Sequence, residues 1–104
     1  MRLTHFIDIA AFSSDWAYAV LDRASQLKAE HGQHSSLPLQ GKSVGLLFKK
    51  PSTRTRISFE VGVQQLGGSA ITLHDHEVGL GEREPIKDVA RVMSRYLDMV
   101  MIRT

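Results

Sequence analysis

Apolar positions recur at a helical period between Asp15 and Glu30. Trp16, Ala17, Val20, Leu21, Ala24 and Leu27 fall there on one face. Ser13 or Ser14 is placed to cap the start and Gly32 to close the end, so the pattern predicts an amphipathic helix. The stretch His31–Gln40 is polar with one proline and reads as a loop. His31 and His34 in it are read as solvated loop histidines rather than a metal pair. Ser43–Phe48 then gathers Val44, Leu46, Leu47 and Phe48 around Gly45, the pattern of a buried strand.

Lys49–Pro51 breaks that run, and Ser52 is an N-cap candidate for a helix over Thr53–Leu66. Ile57, Phe59, Val61, Val63 and Leu66 are its apolar set, and Gly67-Gly68 ends it. Ala70–Leu73 predicts a second short strand, and His74–Glu84 a charged, glycine-containing loop. Pro85 suits a first helical turn, after which Ile86, Val89, Ala90, Val92, Met93, Tyr96 and Leu97 mark another amphipathic helix. Met99–Ile102 predicts a third strand. Strands alternating with helical crossovers imply parallel βαβ units, an α/β fold with right-handed connections. The chain stops at the exit of a strand with no helix to follow. We therefore expect an incomplete domain, the N-terminal part of a longer protein.

Composition narrows the function classes. The 104 residues contain no cysteine, which excludes disulfide frameworks, Cys–zinc sites and thiol nucleophiles. Hydrophobic content of 42% and charged content of 23% are ordinary globular values. No apolar run approaches the roughly 18 residues of a membrane span. Met1–Ala11 carries one arginine and is interrupted by Asp8, unlike a signal peptide. A net charge of +2 hints at anionic ligands without demanding nucleic acid. The basic cluster is short, with only Phe48 and Phe59 nearby, against the long groove and stacking aromatics of a nucleic-acid binder.

The chemistry concentrates in Lys49-Lys50-Pro51-Ser52-Thr53-Arg54-Thr55-Arg56, which leaves the first strand and opens a helix. Ligands of open α/β sheets bind outside the carboxyl ends of the strands. Helix N-termini favour anions, so two arginines in the first turn are unfavourable in isolation. A bound dianion would turn that repulsion into attraction, and Ser52, Thr53 and Thr55 add hydroxyls. Glu60 lies four residues after Arg56 and is read as its partner, whereas Arg54 has no carboxylate at helical spacing. No P-loop pattern is present. Arg103 leaves the third strand at its carboxyl end and is a second candidate for the same crevice.

Phe48 through Glu60, followed by Leu66-Gly67-Gly68, resembles the carbamoyltransferase signature. The later run from Gly81 to Thr104, with Glu84 to Tyr96 and the close Ile102-Arg103-Thr104, is more similar to the ornithine branch of that superfamily than to the aspartate branch. The resemblance implies a three-layer α/β/α domain with parallel strand order 2-1-3-4, of which this chain would hold 2-1-3. It implies that residues 1–104 belong to a carbamoyl-phosphate-binding domain. Ser52, Thr53, Arg54, Thr55 and Arg103 would bind carbamoyl phosphate, with Arg54 and Arg103 catalytic. No cofactor or metal is implied. The implied reaction is attack of the neutral side-chain amine of ornithine on the carbamoyl carbon, giving citrulline and phosphate.

The resemblance also implies a cytoplasmic homotrimer of arginine biosynthesis, with no nucleic-acid or membrane partner. Relatives often carry Gln-Leu-Gly-Arg-Gly-Glu in a loop that reaches the adjacent subunit. Here Gly79-Leu80-Gly81-Glu82-Arg83-Glu84 stands instead, so that contact would be lost or moved to Arg83 or His76. The family's later His-Pro motif and its amino-acid domain are not in the chain, so the isolated 104 residues are expected to be inactive. Alternatives are a carbamoyltransferase for aspartate or a modified ornithine, and a non-catalytic anion-binding module.

Overall fold

The computed structural model describes residues 5–79 and 85–104. The chain divides into two compact units, one through Gln33 and one from His34 to Thr104.

In the first unit a short 3-10 turn, Ile9–Ala11, is closed by Asp8, whose Oδ1 accepts from the Ala10 N–H at 3.0 Å. Helix α1 spans Ser14–Glu30, with Ser13 as its cap. The Ser13 Oγ accepts from the Trp16 N–H at 3.2 Å, satisfying one of the orphan donors of the first turn. The helix gives way to His31 at φ 26° and Gly32 at φ 82°. The rings of Phe6, Phe12 and Trp16 cluster with centroids 4.6–5.0 Å apart, an aromatic group that the sequence pattern did not single out. Val20 and Leu21, on the apolar face of α1, are 47% and 61% exposed.

The second unit holds β1 (Ser43–Phe48), α2 (Thr53–Gln65), β2 (Ser69–His74), α3 (Asp75–Val78), α4 (Ile86–Tyr96) and β3 (Met99–Arg103). The strands form one sheet in the order β2-β1-β3, with both pairings parallel, as expected. The central strand is paired on both edges, and Val44, Leu46, Leu47 and Phe48 are all buried. That is why its sequence is a continuous apolar run rather than an alternating one. Val44, Leu46 and Phe48 turn one way and pack with Val63 of α2 and with Ala70 and Met101. Gly45 and Leu47 turn the other way. A Cβ on Gly45 would lie 2.6 Å from Leu97 Cδ1, so the missing side chain lets Leu97, which caps α4, settle on the sheet. The sheet is thus flanked on both faces, the α/β architecture read from the sequence.

Two backbone details close the ends opposite the site. Gly67 holds φ 94°, and a Cβ there would lie 3.0 Å from Leu37 Cβ and 3.2 Å from Gln40 Cα. Its neighbour Leu66 accepts at its carbonyl from the Leu39 N–H at 3.0 Å.

Three expectations shift. The segment read as a loop from His74 begins with a helical turn, α3, held by Glu77 Oε1 accepting from the His74 N–H at 3.0 Å. Its remainder, Leu80, Gly81, Glu82, Arg83 and Glu84, lies outside the described residues. Pro85 takes the N-cap position of α4 rather than a place inside the first turn, because its carbonyl already accepts from the Asp88 N–H at 3.0 Å. Both outer strands run one residue beyond their expected ends, to His74 and Arg103, since parallel pairing with β1 continues to Phe48.

Candidate anion site at the strand ends

Register brings three strand ends level. Phe48 of β1 stands opposite His74 of β2 on one side and Arg103 of β3 on the other. The Lys49 N–H donates to the Arg103 carbonyl at 2.9 Å, carrying the ladder one residue past β1. The chain crosses Lys50 and Pro51 and enters α2 at Thr53, so the amino end of α2 lies at this same edge.

That end is built to want an anion. Ser52 takes the N-cap position with φ −154° and ψ 89°, yet its side chain makes no cap hydrogen bond, contrary to the ordinary role of a serine there. The first turn contains no acidic residue. The leading N–H groups of a helix lack intrahelical acceptors and carry about half a positive charge. Arg54 and Arg56 add to that charge.

A pocket of about 290 Å³ opens here, lined by Phe48, Pro51, Ser52, Thr53, Arg56 and His74. Phe48 is buried, and with Pro51 it makes the apolar part of the lining. A second pocket of about 360 Å³ shares Phe48, Pro51 and His74 and is bordered by Lys49, Lys50, Asp75 and His76. The His74 and His76 rings stack with centroids 5.6 Å apart. Arg56 follows Ser52 by four residues and so faces the same way from α2. Its Nη1 lies 3.5 Å from Glu60 Oε1, which confirms the pair expected from spacing. The same Glu60 oxygen accepts from Thr72 Oγ1 of β2 at 2.8 Å. Among the described residues no group of three or more His, Cys, Asp or Glu side chains is placed to hold a metal ion.

The family model for the aspartate/ornithine carbamoyltransferase carbamoyl-P binding domain matches residues 4–104. The chain belongs to that family. An ornithine carbamoyltransferase of Acinetobacter baylyi is 51% identical to it over 105 residues, covering 100% of this chain and 34% of that protein. The crystal structure of an anabolic ornithine carbamoyltransferase from Campylobacter jejuni superposes with a TM-score of 0.83 at 37% identity, covering 98% of this chain and 33% of the other. The catalytic subunit of an aspartate transcarbamoylase from M. jannaschii gives 0.76 at 31% identity, covering 97% and 34%. The chain spans about a third of the length of these carbamoyltransferases.

Within this carbamoyltransferase domain, the sequence-derived residues separate by position. Ser52 and Thr53 line the 290 Å³ pocket. Arg54 is exposed on the first turn of α2 and lines neither pocket. Thr55 is half-buried, and its carbonyl accepts from Ser58 Oγ at 2.9 Å. Arg103 is exposed at the end of β3, level with Phe48 in the register but not part of the pocket lining. Two lining residues were missed as such. Arg56 was assigned to its ion pair alone, although its spacing from Ser52 was legible. His74 was placed in a loop, and only the strand register puts it at the rim. Gly79 closes α3, its N–H donating to the Asp75 carbonyl at 2.8 Å, while Arg83 lies outside the described residues.

A larger groove of about 410 Å³ lies between α2 and β3, lined by Phe59, Val63, Leu66, Met99 and Met101 among others. Ser58 is its only polar lining side chain, so it offers packing surface rather than chemistry.

Proposed function

We propose that this chain is the carbamoyl-phosphate-binding part of an ornithine carbamoyltransferase. The observation that carries the reading is the convergence of Ser52, Thr53, Arg56 and the amino end of α2 on one pocket at the carboxyl edge of a parallel sheet. The phosphate would sit against the helix N–H groups and hydroxyls, with Arg54 and Arg103 closing on it from the rim. Both are long and exposed, and both stand at the same edge.

In this reading the neutral amine of ornithine attacks the carbamoyl carbon. The C–N bond forms, the bond from carbon to the bridging oxygen breaks, and phosphate leaves with its electron pair. The amine proton is released and citrulline results. Charge grows on the carbonyl and bridging oxygens, and donors fixed in advance stabilise it without reorganising. An N-acetyl-L-ornithine transcarbamylase mutant at 38% identity and TM-score 0.80 was solved complexed with carbamyl phosphate and N-succinyl-L-norvaline, which supports the donor assignment. The ornithine-named relatives support the acceptor. The reading places the protein in arginine biosynthesis, as a cytoplasmic homotrimer.

The test is citrulline formation from carbamoyl phosphate and ornithine by the gene product that carries this chain, with aspartate and N-acetylornithine as competing acceptors. Preference for either competitor would move the protein to another branch of the family. Phosphate binding without transfer to any acceptor would favour an anion-binding module.

A further inference from the structure

The pocket is flanked by two rows of side chains. On α2 Glu60 and Arg56 stand four residues apart on one face, and one turn earlier comes the N-cap Ser52, whose carbonyl accepts from the Arg56 N–H at 3.0 Å. On β2 the row runs Ala70, Thr72, His74 at intervals of two, which puts them on one face of the sheet. Ala70 packs against the core under α2, so this face is the one that α2 covers. Both rows end at the pocket, in Ser52 and Arg56 on one side and His74 on the other. One hydrogen bond joins them halfway, from Thr72 Oγ1 to Glu60 Oε1 at 2.8 Å. Arg56 Nη1 meets that same oxygen at 3.5 Å.

We propose that Thr72 and Glu60 are positioning residues for Arg56 at the phosphate pocket. An i,i+4 ion pair between half-exposed side chains, 42% and 34% here, is by itself loosely held. Thr72 changes that, because its hydroxyl ties the carboxylate to a strand and removes Glu60's freedom to follow Arg56 outward. The guanidinium then has one fixed point, Glu60 Oε1, on the side away from the pocket. A guanidinium carries five N–H donors, so the donors not turned to Glu60 remain for a ligand. A hydroxyl on the strand thereby sets the aim of a cation on the helix. The inference rests on reading the pocket as a phosphate site and adds what holds its geometry.

The two proposals for Glu60 differ in sign. As a mere neighbouring charge, Glu60 repels phosphate, and Glu60→Met, which removes both carboxylate oxygens at similar length, would tighten binding. As a positioning residue, its loss releases Arg56 and weakens binding. The experiment titrates the purified protein calorimetrically with phosphonoacetamide, a stable analogue of carbamoyl phosphate, and with inorganic phosphate. Thr72→Val and Glu60→Met are expected to weaken both by about tenfold, within the range of couplings inside one network. Thr72→Ser restores the affinity. In an Arg56→Ala background neither change has a further effect, which a purely structural role would not produce. If Thr72→Val does not fold, Glu60→Met carries the same cycle.

Tighter binding by Glu60→Met, or effects that add to Arg56→Ala, would overturn the positioning role. Affinity unchanged by Arg56→Ala but lost with Ser52→Ala would overturn it too, leaving the pocket assignment standing. Indifference of the affinity to both Arg56→Ala and Ser52→Ala would remove the pocket assignment and this inference with it.

Discussion

Ser43 and Asp98 hold each other twice. The Ser43 N–H donates to Asp98 Oδ2 at 2.8 Å, and the Asp98 N–H donates to the Ser43 carbonyl at 2.8 Å. The pair joins the starts of β1 and β3, and five residues later the same two strands end level at Phe48 and Arg103. A clasp at one end of a parallel pair therefore sets the position of Arg103 at the other. Asp98→Ala is expected to cost about 1 kcal/mol, the typical worth of such a bond, read as a lower midpoint in urea unfolding. Asp98→Asn, which keeps an acceptor oxygen, should recover most of it.

Arg54 separates binding from stability. It is exposed, and among the described residues its side chain has no hydrogen-bond or ion-pair partner. If the proposed carbamoyl transfer holds, Arg54→Ala in the gene product that carries this chain is expected to lower kcat/KM for carbamoyl phosphate by about a hundredfold or more, the scale for removing one transition-state donor. The melting temperature should stay where it was. Near-normal turnover would remove Arg54 from the site.

Gly67 bears on the fold alone. At φ 94° an L side chain is strained, and a methyl group would crowd Gln40 Cα at 3.2 Å. Gly67→Ala is expected to destabilise the domain by about 1–3 kcal/mol, through backbone strain and displacement of the segment carrying Leu37 and Gln40. Thermal unfolding measures this. Equal stability would mean that the segment moves aside freely.

Leu46 is fully buried at the centre of the central strand. Leu46→Ala should cost about 2–5 kcal/mol through lost transfer energy and the cavity left behind. A loss under 1 kcal/mol by chemical denaturation would show that the core collapses around the gap.

The central strand was legible because burial on both faces leaves a plain apolar run at Val44–Phe48, with breakers on either side. Helix α2 was legible from its period and from Gly67-Gly68. The single turn α3 was not, because a four-residue helix shows no periodicity, and a histidine at its cap is not a usual start signal. Ser52 was legible as a cap by position, but sequence could not say that its side chain leaves the helix N–H groups alone. The site was half legible. Spacing along one helix predicted the Arg56–Glu60 pair. The third member, Thr72, sits twelve residues from Glu60 on another element, and only the packing of α2 on β2 brings it there.

The make-up of the pocket has a consequence for selectivity under the proposed phosphate reading. Two of its six lining residues, Phe48 and Pro51, bring no side-chain hydrogen bond, so an anion seated there would give up water against them and gain nothing in return. Compensation would have to come from the hydroxyls, the helix N–H groups and the guanidinium. An anion too small to reach several of these donors at once, such as chloride, would lose hydration without replacing it. Discrimination would thus begin as a dehydration penalty, imposed before any specific contact is made.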